Sequence, residues 1–266
     1  MIIATLLVVA IVGPAIAPYD PAAQDIVHRL EGPSQAHWLG TDFLGRDLLS
    51  RLIVGTRVAF VIAIPAVGLA LGLGLIMGVA GGYLRGVTDG VVLFIIDFMA
   101  AFPGLILALA VIALLGPSVP NLIVVLAIAF IPGYARVSRA SVLSVKEQQF
   151  VMAERALGAS AARITGRHIM PNIIAPILIL VAMDIPSAIV AEAGLSFLGL
   201  GVPPPQPSWG SMLSDGFSEI FETSWPVFVP AIALAITMVA FTLVGEAMRD
   251  VADPKIAGFR RMRRVV

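Results

Sequence analysis

Apolar residues run in long unbroken stretches along this chain, and six such stretches stand out. They are Met1–Pro18, Val58–Ala80, Val91–Leu115, Val119–Ala135, Asn172–Gly194 and Trp225–Val244. A bilayer core about 30 Å thick is crossed by roughly 20 mostly apolar residues at 1.5 Å each. Backbone polar groups have no water to bond in lipid, so each run predicts a helix. Strands of a membrane barrel are about 10 residues long and alternate in polarity. These runs are longer and do not alternate. The expected fold class is all-α, a polytopic membrane protein with about six transmembrane helices. Asp97 and Pro103 interrupt the third run.

Between the fourth and fifth runs the pattern changes. Across residues 136–172, Phe150, Ala153 and Leu157 recur at helical spacing, while Glu147, Glu154 and Arg155 lie off that stripe. Gly158 suits a left-handed cap that ends one helix. Ser160 suits the cap that starts the next, and Pro171 the first turn of the fifth span. The spacing predicts a short amphipathic helix on one membrane face. Interfacial helices usually carry Lys or Arg opposite Trp, Phe or Leu. This one is rich in Ala and mixed in charge, which favours a protein partner over lipid. A second polar segment, residues 37–57, carries Gly40-Thr41-Asp42 and Gly45-Arg46-Asp47 as turn and cap chemistry. Leu48, Leu49, Leu52 and Ile53 then predict an elbow helix leading into the second span.

Composition agrees with membrane insertion. Hydrophobic residues make up 59% of the 266 and charged residues 13%, against about 45–50% and 25% in soluble domains. A soluble enzyme and a disordered chain are both excluded. Net charge is zero, so bulk charge gives no reason to expect nucleic acid as a partner. The absence of cysteine excludes disulfides, thiolate metal sites and cysteine nucleophiles. Ala15-Ile16-Ala17 has the small residues of a cleavage site but no positively charged start precedes it. An uncleaved segment that lacks a short polar leader is the expectation.

Six helices place both ends on one side, and Lys and Arg fix which. Thirteen of the 17 basic residues fall at residue 85, in the 136–172 region and in the tail after 248. Only Arg29, Arg46, Arg51 and Arg57 fall on the other side. The positive-inside rule makes both termini cytoplasmic. Acidic residues inside the runs usually face a protein interior or a water path. Asp97, Asp184 and Glu192 are therefore candidate pathway residues, with Glu246 at the inner end of the last run. His28, His37 and His168 are isolated, with no pairing at ligand spacing, so no metal site is expected. Gly72, Gly74 and Gly78 suit close helix contact.

The 136–172 region resembles the EAA loop of permease subunits in bacterial ATP-binding-cassette (ABC) importers. The family's Glu-Ala-Ala triplet falls on Met152-Ala153-Glu154, followed by Gly158 and Pro171; the central Ala and the Gly match, the flanking triplet positions do not. HWLGTDFLGRDLLSRLIVGTR at 37–57, AFPGL at 101–105, EAGLSFLGLGVPPPQPSWGSML at 192–213 and RDVADPK at 249–255 are similar to one subgroup. That subgroup is the C-type permease of dipeptide, oligopeptide and nickel importers.

The resemblance implies a type I ABC importer permease fold (MetI-like). It implies residues 1–56 as first helix plus outer elbow, 57–248 as the transmembrane domain and 249–266 as a basic tail. The implied partners are a second homologous permease subunit, two cytoplasmic ABC ATPase subunits, an extracytoplasmic substrate-binding protein and membrane lipid. Met152, Ala153, Glu154, Arg155, Ala156, Leu157 and Gly158 would form the ATPase-coupling interface. No G-x-x-x-x-G-K-[ST] loop occurs, so no catalytic residue and no cofactor is expected in this chain. ATP and magnesium belong to the ATPase. The implied function is a translocation path for di- or oligopeptides, with nickel, glutathione or another small solute as the alternative. A gradient-driven transporter would commonly show internal repeats, and none is evident between the two halves. A self-associating channel is a third class, which recovery of an ATPase partner would exclude.

Overall fold

The computed structural model describes the backbone of residues 1–252 and side chains through residue 250. The basic tail beyond residue 252 lies outside the described residues. Among the described residues ten α-helices follow in chain order. They are α1 (Ile2–Ile16), α2 (Leu48–Leu84), α3 (Gly86–Ala100), α4 (Gly104–Leu115), α5 (Val119–Lys146), α6 (Gln149–Ala156), α7 (Ala161–Arg163), α8 (Met170–Phe197), α9 (Trp209–Ser218) and α10 (Trp225–Ala252). Among the described residues there is no strand, only one isolated antiparallel bridge between Thr41 and Asp47.

Among the described residues four helices are long and apolar enough to cross a membrane: 48–84, 119–146, 161–197 and 225–250. The expected third span is not one straight helix. It is the pair α3 and α4, bent by 82° at residues 101–103. Pro103 lacks the N–H an unbroken helix would need and restricts residue 102. Counting that pair as one span gives five. The sixth expected helix, α1, has 15 residues, short of the roughly 20 that a full crossing needs.

The described contacts gather into two compact units. One comprises residues 1–66, 105–126 and 185–241, and the other, among the described residues, 67–104, 127–184 and 242–252.

In the first unit, the segment before α2 is not a free elbow. Gly40 and Gly45 turn at positive φ. Asp47 then starts α2, its carboxylate accepting the Ser50 N–H and hydroxyl at 2.7 Å each. Leu48 to Ile53 are continuous with the span, because no Pro or Gly interrupts the helix between 48 and 54. The sequence reading had no helix at α9. Ser208 and Ser211 cap each other there, side chain to backbone, in both directions. The buried Trp209 donates to the Leu52 carbonyl at 3.2 Å.

In the second unit, α2 and α5 approach through small residues. A Cβ at Gly74 would lie 2.5 Å from Tyr134 Cβ, one at Gly78 2.6 Å from the Ala135 carbonyl, and one at Gly82 2.9 Å from Val142 Cβ. Gly72, expected to pack, faces open space, and Gly82 takes its place. The stripe is thus 74, 78 and 82, at one-turn spacing. Without a hydrophobic drive in lipid, such close contact supplies the packing energy. Gly78→Leu should cost about 3 kcal/mol, the upper end of the usual overpacking range, because the atoms it meets are partly backbone and cannot rotate away. Gly72→Leu should be tolerated. The check is the yield of monodisperse protein in mild detergent for the two variants. Equal yields would contradict the close crossing.

Candidate coupling helix and interhelical ion pairs

The polar region contains a helix where one was expected, with differences in detail. α6 ends as Gly158 enters φ +80. The Gly158 N–H donates to Arg155 at 3.0 Å and the Ala159 N–H to Glu154 at 3.1 Å, the two bonds of a Schellman cap. Ser160 caps α7, its hydroxyl accepting the Arg163 N–H. The expected stripe of Phe150, Ala153 and Leu157 is not buried. Val151 is the residue that turns inward, at 0% exposure, whereas Leu157 is 83% exposed. Met152, Ala153, Arg155, Ala156 and Gly158 are exposed as well, and Glu154 is half-buried. Val151 is the one fully buried side chain of α6, and an apolar edge is left bare.

Pro171 does not begin the fifth span. The helix starts at Ala161 and runs to Phe197, with a π turn over Ile164–Ile169 just before the proline. Met170 N–H reaches back to the Thr165 carbonyl, and Pro171 can donate nothing. One extra residue in the turn accommodates that loss without ending the helix. The π turn also seats α6. His168 lies 3.6 Å from the Glu154 carboxylate, and its ring is 6.3 Å from that of Phe150. His168 is therefore a neighbour of α6. Among the described residues no three of His, Asp and Glu gather as metal ligands.

α5 is longer than its apolar run. Arg136 and Arg139, read as loop residues, sit on the helix and pair with acids on α3. Arg139 grips Asp89 through two nitrogens at 2.5 and 2.6 Å, both side chains about four-fifths covered. Arg136 meets Asp97 at 2.9 Å through a single contact. Asp97, for which the sequence offered no cation, thus has one. Lys146 closes the end of α2, donating to the Tyr83 carbonyl with its ammonium 5.0 Å over the Tyr83 ring. Arg85 and Glu147 meet at 2.7 Å on the surface. The residues just before α6 are therefore tied to the start of α3 and the end of α2.

Asp184 is half-buried and is the electrostatic neighbour of the buried Tyr134 hydroxyl. Glu192 is fully enclosed, accepting the Ser196 hydroxyl at 2.6 Å beside Ser208. Glu246 is exposed near the end of α10.

The family model for the binding-protein-dependent transport system inner membrane component matches residues 70–258. The chain belongs to that family. Its relatives are permease components, not enzymes. The dipeptide transport system permease protein DppC of Alkalihalophilus pseudofirmus is 38% identical over 256 residues, covering 96% of this chain and 84% of the relative. The glutathione transport system permease protein GsiD of Shigella flexneri is 43% identical over 254 residues, covering 95% and 84%. Among solved structures, an inward-facing MetNI methionine ABC transporter matches with TM-score 0.65 at 17% identity, over 77% of this chain and 98% of that one. An amino acid ABC transporter matches with TM-score 0.54 at 18% identity, over 80% and 94%. This inner membrane component therefore has the MetI-like permease fold, as its sequence resemblance implied.

Proposed function

We propose that this chain is one of two permease subunits that form the path for di- or oligopeptides through an ATP-driven importer. The observation that carries the reading is its 38–43% identity, over nearly its whole length, to permeases named for a dipeptide and for glutathione. Both named solutes are small peptides. Nickel or another small solute is the alternative within the same machine, because a separate binding protein does much of the selection.

In this reading α6 docks in a groove of a cytoplasmic ATPase, through Met152, Ala153, Glu154, Arg155, Ala156, Leu157 and Gly158. The bare apolar edge and the Schellman cap support it, since a capped rigid helix transmits displacement better than a loose loop. ATP and magnesium act in that partner. Both termini face the cytoplasm. Asp97 and Asp184 face the solute path. Glu192, closed in by Ser196 and Ser208, has a packing role instead.

The test is co-purification. A tagged chain, expressed with its chromosomal neighbours and extracted in mild detergent, should retain a second permease and ABC ATPase subunits by mass spectrometry. Recovery of the chain alone or as a homo-oligomer would move the reading to a gradient-driven transporter or a channel.

A further inference from the structure

Two ion pairs join α3 to α5, and they differ in kind. Asp89–Arg139 is bidentate and mostly covered. Asp97–Arg136 has one contact at 2.9 Å, with 67% and 53% of the two side chains still exposed. α5 has 28 residues, about 42 Å at 1.5 Å each, more than a hydrocarbon core about 30 Å thick. Its apolar run ends at residue 135, so Arg136 stands at the inner end of the span, paired with Asp97 of the third run. An acid within a run faces water or protein, because at the centre of the lipid it would cost about 2.5–3.5 kcal/mol.

The surroundings have room and apolar contact. Phe94 and Phe98 stand exposed on α3 beside Asp97, at 72% and 60%. Gly133 and Ala140, one turn to either side of Arg136 on α5, are exposed. A Cβ built at Gly133 would touch nothing. The site therefore offers one negative group, one positive group, two aromatic faces and open space around the arginine.

We propose that the Asp97–Arg136 pair opens to hold the two ends of a zwitterionic peptide during passage. Asp97 takes the α-ammonium, Arg136 takes the α-carboxylate, and Phe94 and Phe98 flank an apolar side chain. The exchange conserves charge, since one ion pair becomes two. A dipeptide spans roughly 7 Å, and the exposed Arg136 chain is long enough to swing aside for it. The locked Asp89–Arg139 pair holds the two helices together while the upper pair opens. This inference rests on the peptide-importer reading.

The experiment is ATP-driven uptake by the assembled importer in vesicles, with saturating loaded binding protein. The probes are glutathione, dialanine, N-acetyl-dialanine and dialanine amide. The binding protein is common to every permease variant, so a change in the ratio between probes reports this chain. Asp97→Asn should lower the preference for dialanine over the N-acetyl form about tenfold. Arg136→Gln should do the same for dialanine over the amide. Equal losses for all probes, or none, would overturn the inference and leave a packing pair. A second measurement uses the absence of native cysteine. Ala140→Cys should react with a charged, water-soluble thiol reagent, and dialanine or glutathione should slow the reaction only while Asp97 and Arg136 are intact. An unreactive Cys at 140 would show a dry face and overturn it too. Failure of the unaltered complex to take up dialanine and glutathione would instead overturn the peptide reading beneath it.

Discussion

Arg51→Ala should destabilise the protein by about 3–5 kcal/mol, the range for removing one member of a buried ion pair. Arg51 is 2% exposed. Its guanidinium lies 3.4 Å from Asp42 and 3.2 Å from Asp215. Arg46 contacts the same two acids at 2.6 and 2.9 Å. Two acids and two bases thus alternate in a neutral square, linking the turn before α2 to α9. Removing Arg51 leaves Asp42 and Asp215 to share Arg46, with one negative charge in excess. Removing Asp215 as well should recover part of the loss, which a double-mutant cycle would measure in detergent melts. The pH dependence has a definite sign. Burial already pushes the Asp215 carboxyl above its ordinary range, against the pull of Arg51 and Arg46. Loss of Arg51 pushes it higher. A carboxyl with a raised folded pKa contributes stability when protonated, and that contribution is lost as pH rises through the raised value. The Arg51→Ala defect should therefore shrink as pH is lowered into the mildly acidic range. A defect that does not change with pH would mean the square carries little electrostatic strain.

Gly158→Pro should leave the chain inserted and uptake at least tenfold lower. Proline fixes φ near −65°, whereas Gly158 sits at +80. It also lacks the N–H that Gly158 gives to Arg155. The cap cannot form, so α6 loses its fixed stop before α7. Gly158→Ala keeps the donor and costs only about 1–2 kcal/mol for the left-handed turn. It should retain most uptake. The measurement is solute uptake beside ATP hydrolysis in the same assembled complex. Continued hydrolysis with lost uptake is the expected uncoupling. Normal uptake by the proline variant would remove α6 from the coupling path.

Local chemistry was readable in advance, and distant pairing was not. Gly158 and Ser160 announced their caps because a positive φ and a hydroxyl cap depend on neighbours within a few residues. Asp47 and the glycine turns before α2 were legible for the same reason. The span lengths were less so. Arg136 and Arg139 looked like the edge of a loop, and their partners Asp97 and Asp89 are 39 and 50 residues away. Only the fold brings those acids close enough to carry two arginines along a membrane helix. The 82° bend between α3 and α4 was hidden because both arms are apolar and a proline was its only mark. α9 was missed despite a visible signal, the serines at 208 and 211 around Trp209. The exposed edge of α6 inverted the stripe argument. Periodicity finds an apolar face, but it does not say whether this chain or another covers it.

The π turn at residues 164–169 has a consequence for tolerance to change. Adding one residue to an α-helix rotates everything beyond it by about 100°. The turn therefore sets the angle at which α6 leaves the long helix of α7 and α8. Deleting one residue there would wind the turn back to α and carry α6 around to a different side. A change of side chain makes no such rotation. Along this stretch, the number of residues is held more tightly than their kind.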